Sequence, residues 1–477
     1  MTFPAFITGL LLGSAPLLHG AWEIEIHTAF FLAAALGLSL GLARGIWRGE
    51  PAVPHPAVAA WLAALAVLGG VSALQSPLPA EAFPGWRVEL VGLAAFAAGH
   101  LLSEEERSGV DRWLRLCAWG LLIVGVAVPD LGYGHIPRPV ATLGNENILA
   151  AMILMLLPAA GAARDVPLTA GLAALLLWTG SSGAWLGIAA ASALAFRGRP
   201  SARWALGGAA ALFAAVLAAK IAVYGELGLE KFADRAHWWE VAAGLVRARP
   251  WWGFGPSSYA YAAASDAAYA GIWKSRFAHQ AFLETAAQNG LPYAVLFFGG
   301  ILAALLPAAR GFAALRRLGV AAVLVQSLVD CPLSIPAGLW LFCYLAGSCA
   351  ALPAASISVA APWRKPAAGC VLGAALLACL PAIGRLDAER LRGKASRAFT
   401  EPGGLARSLE LLRRSSRLAD DPETQRDMAE IILARPHPGS GGLRAAAFYL
   451  RRAQALDPYR ASTRTMLFNV ERELKKG

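Results

Sequence analysis

Apolar runs, most of about 15–20 residues and several shorter, recur roughly thirteen times along this chain, and they limit its fold more than any other feature. A run of that length can cross a hydrocarbon layer as a helix. In lipid, every backbone N–H and C=O must find its partner within the segment, which a helix allows and an open sheet does not. The runs lie near 3–18, 26–43, 57–74, 87–102, 113–129, 147–160, 167–179, 183–196, 204–222, 281–306, 318–329, 335–351 and 366–384. The expected fold is all-α, a polytopic membrane helical bundle of about 12–13 transmembrane helices, with one long outer loop and a small helical C-terminal domain. Composition agrees. Charged residues make up 15% of the 477, against roughly a quarter in a soluble protein. The first twenty residues carry no basic stretch ahead of their apolar run and are expected as a span, not a cleaved leader.

Basic residues orient the bundle. Arg44 and Arg48 follow the second run, Arg107, Arg112 and Arg115 the fourth, Arg164 the sixth, and Arg197, Arg199 and Arg203 the eighth. Arg310, Arg316 and Arg317 follow the tenth, and Arg364 and Lys365 the twelfth. All fall on one side, and Lys/Arg retention makes that side cytoplasmic. The loops at 75–86, 130–146, 180–182, 224–280 and 330–334 then face outward. With an odd number of spans, so does the tail after 384. The net charge of +11 has the same origin; no basic helix or RNA-binding signature calls for nucleic acid. Cys117, Cys331, Cys343, Cys349, Cys370 and Cys379 lie in apolar surroundings without ligand spacing and read as small buried hydrophobes. There is no zinc spacing, phosphate-cradling glycine loop or nucleophile elbow, so neither a metal nor a cofactor is expected.

The chain divides into N-terminal spans (1–223), the long loop (224–280), C-terminal spans (281–384) and a polar tail (385–477). Chemistry concentrates in the stretch from Tyr224 to Gly290. There Lys231, Arg235, His237, Arg247, Arg249, Lys274, Arg276 and His279 interleave with Trp238, Trp239, Trp251, Trp252 and Trp273. Arginine offers a fork to phosphate oxygens, and a carboxylate-poor cationic face suits a diphosphate leaving group. Aromatic rings suit sugar faces, although an interfacial aromatic belt accounts for tryptophan pairs equally well. His279, just before an apolar run, is placed to take a proton from a hydroxyl near neutral pH; a structural histidine at a span end is the plainer alternative. In the 130–149 loop, His135 and Arg138 can add to an anion site, and Asn145 and Asn147 can cap a helix or bind a sugar. Asp330 interrupts an apolar stretch, which marks a functional or a capping carboxylate.

These residues also carry a family likeness. Arg235–Glu240, Pro250-Trp-Trp-Gly-Phe-Gly-Pro256, His279-Gln-Ala-Phe-Leu-Glu284 and Asn289-Gly-Leu291 resemble the ordered pattern of the O-antigen ligase and polymerase superfamily. The likeness extends to Arg138…Thr142-Leu-Gly-Asn145-Glu-Asn147 and to Asp330-Cys-Pro-Leu333. It implies a GT-C-type, inverting, metal-independent glycosyltransferase of the bacterial inner membrane with its active site facing the periplasm. Such an enzyme moves a glycan from undecaprenyl diphosphate to lipid A–core, to a growing glycan or to protein. His279 matches the histidine that activates the acceptor, and Arg235 an arginine near the diphosphate. Trp239 and Asp330 join the expected glycan or diphosphate contacts. Two departures stand out: His-Asn is His279-Gln280 here, and Ser181-Ser182-Gly183 lacks an arginine for which Arg138, Arg247, Arg249 or Arg276 can compensate, while Lys274 joins the expected diphosphate or glycan contacts.

A transporter or flippase is the main rival from another class, but it calls for ionisable residues at mid-membrane and paired broken helices. In the tail, LELLRRSSRLADDPE and AFYLRRAQALDPYR end alike, with Pro422 and Pro458 thirty-six residues apart. That is close to the ~34-residue tetratricopeptide period, so residues 385–477 are expected as a tetratricopeptide-like tail available to a protein partner, with a generic helical hairpin as the alternative.

Overall fold

The computed structural model describes residues 2–130, 138–195, 226–264, 275–306, 312–435 and 437–476, and Gly207, Gly208, Ala211, Ala214, Ala218 and Ala222 between them. It is all-α, with nineteen α-helices among the described residues. Two antiparallel pairings of two residues each are the strands: Ala52–Val53 with Ala355–Ser356, and Pro129–Asp130 with Arg138–Pro139. The N-terminal half comprises α1 (Phe3–Ser14), α2 (Ile24–Arg48), α3 (Pro56–Leu74), α4 (Pro79–Leu101), α5 (Glu104–Ala127), α6 (Glu146–Ala162), α7 (Val166–Thr179) and α8 (Ser182–Ala195). The next helices are α9 (Glu226–Ala248), α10 (Tyr259–Ala263), α11 (Ala281–Asn289), α12 (Leu291–Leu305), α13 (Phe312–Gln326) and α14 (Pro336–Cys349). The C-terminal helices are α15 (Ala361–Phe399), α16 (Leu405–Leu418), α17 (Pro422–Leu433), α18 (Gly439–Leu456) and α19 (Ala461–Leu474).

Among the described residues, α2, α3 and α15 are long and apolar enough to cross a membrane, and α1, α6, α7, α12 and α14 are shorter apolar helices. The protein is a polytopic membrane protein. Its centre is α6 and α14, where Leu149–Ile153 and Trp340–Phe342 are fully enclosed. The Trp340 indole N–H donates to the Val88 carbonyl at 2.8 Å, locking α14 to α4. Large apolar side chains point outward from the bundle instead, among them Val67, Leu116, Ile123, Leu302 and Leu377. In water such a surface would aggregate; against lipid it is the expected one.

Both ends of the bundle are polar. At one end Arg316 pairs with Glu104 and Asp111 at 3.2 and 2.8 Å, and Lys365 stands over Trp47. The long loop and the tail gather at the other, where Tyr459 packs edge-on against Phe254.

Three expected boundaries move. The run 281–306 is not one helix: it breaks at Gly290 into α11 and α12. With nine residues, among them Glu284, Gln288 and Asn289, α11 is too short and polar to span lipid, and it belongs with the loop. Residues 224–280, expected as the long loop, include α9 and α10 among the described residues. The tail does not begin at 385, because α15 runs unbroken from 361 to 399. The expected run at 204–222 falls largely outside the described residues. Cys370 is exposed on α15, unlike the other five cysteines.

The tail folds as two helical hairpins, α16–α17 and α18–α19, around Leu409, Leu412, Met428, Ile432 and Leu450. Asp421 caps α17 by accepting from the N–H groups of Glu423 and Thr424 at 2.9 and 3.2 Å. Thirty-six residues on, Asp457 accepts from the Tyr459 N–H at 3.2 Å ahead of α19. The repeated Asp-Pro thus marks the same turn twice.

Candidate active site

On α9, Arg235, Trp238 and Trp239 share one face, because residues three and four apart are neighbours on a helix. That face meets the turn leading into α11. The Trp238 ring stacks on the His279 ring, centroids 4.8 Å apart and planes 27° apart. The Trp239 indole N–H donates to the His279 carbonyl at 3.3 Å. His279 itself has φ 53°, a left-handed conformation that costs a residue with a Cβ about 1–3 kcal/mol. Its neighbours impose it. Gln280 caps α11 by accepting the Leu283 N–H at 2.5 Å, the Ala281 N–H donates to the Ser327 carbonyl at 2.7 Å, and the Glu284 carboxylate takes the Ala278 N–H at 2.7 Å. The glutamine in place of asparagine after His279 therefore acts as a cap.

Across the turn stands Asp330, 1% exposed, between α13 and α14. Its Oδ1 lies 3.1 Å from His279 Nδ1 and accepts the Cys331 N–H at 2.9 Å. Arg235 donates to Oδ2 at 3.4 Å. Burial alone would raise the Asp330 pKa, but the His279 hydrogen bond and the Arg235 charge hold it below its ordinary value. An ionised carboxylate only accepts, so Nδ1 carries a proton, and in the neutral imidazole Nε2 presents its lone pair. That nitrogen lies 3.1 Å from the Ser275 hydroxyl. The arrangement can withdraw a proton from a hydroxyl at Nε2 while the carboxylate steadies the imidazolium that forms.

Among the described residues, His279, Asp330 and Cys331 are also a group that could hold a metal, their donor atoms lying within 4.8 Å of one another. The donor set fits a metal poorly: Nδ1 is committed to Asp330, and the Arg235 cation already covers the second carboxylate oxygen.

Glu284 is buried behind the turn. Burial raises its pKa to about 7, against the lowering effect of hydrogen bonds from Ser334 and the Ala278 N–H. An unfolded glutamate ionises near 4.5, so the advantage of the neutral folded carboxyl is complete below that pH and is lost as pH rises through 7. Wild-type protein is therefore expected to lose thermal stability relative to Glu284→Gln between about pH 5 and 8. Parallel melting curves for the two proteins across that range would refute the assignment.

Gly290 connects the site to the segment Pro250–Pro256. Leu291 donates its N–H to the Pro250 carbonyl at 2.8 Å, and the Phe254 and Gly255 N–H groups donate to Ala287 and Gln288 at 2.9 and 2.7 Å. Ser72 and Ser76 at the end of α3 donate to the Trp252 and Phe254 carbonyls at 2.6 and 2.5 Å. The glycine-rich segment is a backbone clasp on the end of α11.

The other candidates scatter. Arg276 stands over the Trp22 ring at 5.8 Å and lines a cavity beside the turn. Arg249 donates to the Gln75 carbonyl at 2.8 Å, and Arg247 is exposed. Arg138 pairs with Glu146 at 2.7 Å. Asn145 caps α6 through the N–H groups of Asn147 and Ile148, and the Asn147 carbonyl accepts from Gln326 at 2.8 Å. His237 lies 3.6 Å from Glu240, along α9. His135, Lys274 and the Lys231 side chain lie outside the described residues. Trp238 stood out in the sequence only as one of the loop's tryptophans, not as a partner of His279, and Ser275 was not singled out. Their spacing is the available signal: Trp238 is three residues from Arg235, and Ser275 four before His279.

Residues 167–298 match the family model described as O-antigen ligase. That segment is similar to an O-antigen ligase domain. The match supports the O-antigen ligase and polymerase superfamily, and with it a glycosyltransferase of ligase or polymerase type acting on a lipid-linked glycan and an acceptor. No curated protein matches the chain. The ligase domain contains Arg235, Trp238 and His279; Asp330 and the tail lie beyond it.

Proposed function

We propose that the protein transfers a glycan from undecaprenyl diphosphate to an acceptor hydroxyl on the periplasmic face of the inner membrane, with inversion and without a metal. The observation that carries this reading is the orientation of His279: Nδ1 is tied to Asp330, and Nε2 faces a hydroxyl at 3.1 Å. The Ser275 oxygen marks where an acceptor hydroxyl would sit. As that oxygen attacks the anomeric carbon from the face opposite the diphosphate, His279 takes its proton. The bond from carbon to diphosphate breaks, and its electron pair leaves with the diphosphate. Arg235 and Arg276 offset the charge that develops there. Lipid A–core is the acceptor favoured here; a growing glycan or a protein would use the same steps.

The test is transfer by purified protein from an undecaprenyl-diphosphate glycan to a panel of lipid A–core, oligosaccharide and protein acceptors, with EDTA present. Transfer is expected to survive EDTA and to fall by about a hundredfold in Asp330→Asn, which removes the charge that supports the imidazolium. Loss of transfer on chelation, or none from a verified native donor to any acceptor, would overturn the proposal.

A further inference from the structure

A cavity of about 580 Å³ opens beside the His279 turn, within the size range of ligand sites. Its lining steps along α4 through Glu81, Gly85, Glu89 and Leu93. Glu81 and Leu93 are twelve positions apart, about 18 Å of helix, so the cavity runs from the loop end of the bundle into its interior. The inner part is apolar, walled by Leu93, Phe297 and Leu339. The outer part is polar and aromatic, with Trp22, Tyr261, Arg276 and Phe277. The tail closes it: Glu423 at the start of α17 and Arg460 ahead of α19 are part of the wall. They pair with each other, and Arg460 also donates to Asp457 at 3.1 Å.

Several lining groups are incompletely satisfied. His27 is 7% exposed, and its ring nitrogens have only the backbone of Ala21 and Trp22 beside them, without a well-aligned hydrogen bond. Asn289 Oδ1 has no partner among the described residues, and the buried Glu89 carboxyl, which takes the Asn289 amide at 2.6 Å and lies beside the Tyr293 hydroxyl, has no well-aligned partner at Oε2. Buried polar atoms without partners are rare in a folded protein. Gathered around one cavity, they offer donors and acceptors to a ligand with several hydroxyls, and the rings and planar Arg–carboxylate pair at the mouth suit the flat faces of sugars. The apolar inner end suits a lipid chain joined to that sugar.

We infer that this cavity is the subsite for the glycan of a lipid-linked substrate, and that Arg460 and Glu423 make the tail part of the site and a determinant of which glycan is used. The inference rests on the glycosyltransferase reading. Arg276, Phe277 and Ala281 line the cavity on either side of His279, so a sugar held there is next to the proposed base. The glycan belongs either to the diphosphate donor or to a glycolipid acceptor.

Full-length protein in nanodiscs distinguishes the two. Ala260 lines the cavity. In a Cys370→Ser background, which removes the exposed native thiol, Ala260→Cys reports occupancy through its rate of maleimide labelling. The probes are a farnesyl-diphosphate-linked oligosaccharide and purified lipid A–core. One of them is expected to slow labelling at least threefold, and that one names the source. Arg460→Leu is expected to abolish the protection and to raise KM for the same substrate about tenfold with kcat little changed. Glu423→Gln, close in shape, gives a second variant should Arg460→Leu release the tail. Arg451→Ala, in an exposed pair with Glu471, leaves KM unchanged. If transfer depends on His279 but neither probe protects, or if KM is unmoved in both tail variants, the subsite is wrong. If a probe protects but transfer does not depend on His279, the mechanism fails and the subsite stands.

Discussion

Replacing His279 by alanine is expected to reduce glycan transfer by about 10²–10⁴-fold, the range a positioned general base contributes. The loss should fall on kcat, because the imidazole acts on the reacting hydroxyl while other side chains hold the glycan. Folding should persist. In the variant Asp330 keeps the Arg235 ion pair and the Cys331 N–H, and the backbone hydrogen bonds of the turn do not involve the imidazole. Raising the pH cannot restore the rate if no other group on the enzyme takes the proton. The check is kcat across a pH series beside a thermal melt in the same detergent. A well-folded variant retaining more than about a tenth of wild-type kcat would remove His279 from the base role.

The largest effect on folding is expected at Gly290. Its φ of 85° and ψ of 161° lie in a region essentially reserved for glycine. A Cβ added there would sit 2.1 Å from the Trp251 carbonyl oxygen, which is backbone and has no room to move. Gly290→Ala must therefore separate the 250–256 clasp from α11 or unwind the start of α12. A cost of about 3 kcal/mol or more is expected, from backbone strain and the displaced hydrogen bonds together. Low yield and early melting would show it. Gly299→Ala on α12 is the matched control, since nothing lies within 4 Å of the added carbon. Equal melting temperatures for the two variants would contradict the strain argument.

Much of the site was legible in the sequence as separate residues. Arg235, Trp239, His279 and Asp330 each stood out as polar or aromatic groups interrupting an apolar chain, and the structure joins them through hydrogen bonds. The sequence could not show their partners, because 51 residues separate His279 from Asp330 and periodicity carries no information across that gap. Arg138, Asn145 and Arg249 stood out for the same chemical reasons, yet each is occupied by a helix cap, a carbonyl or a neighbouring carboxylate. Residue type alone does not separate these uses.

The fold was legible wherever hydrophobicity ended with the helix, as at α3 and α7. It misled at two places for opposite reasons. At Gly290 the apolar run continues while the backbone breaks, and the signal was the Asn289-Gly290 pair followed by Pro292 at the next helix start. In α15 the composition turns polar after residue 384 while the helix continues, since nothing between Pro381 and Phe399 stops it. A change of surroundings was read there as a change of structure.

That continuous α15 makes the tail a lever and not a tethered module. The helix is about 58 Å long. It begins near Trp47 at one end of the bundle, and its far portion holds the tail through the Arg385–Asp421 pair at 2.6 Å. Adding or removing one residue along it would turn everything beyond by about 100°, sweeping Arg460 and Glu423 away from the cavity mouth with every local fold intact. The angular phase of the helix beyond Pro381 thus bears on whether the cavity mouth is covered, and a tilt of that portion would move Arg460 and Glu423 with it.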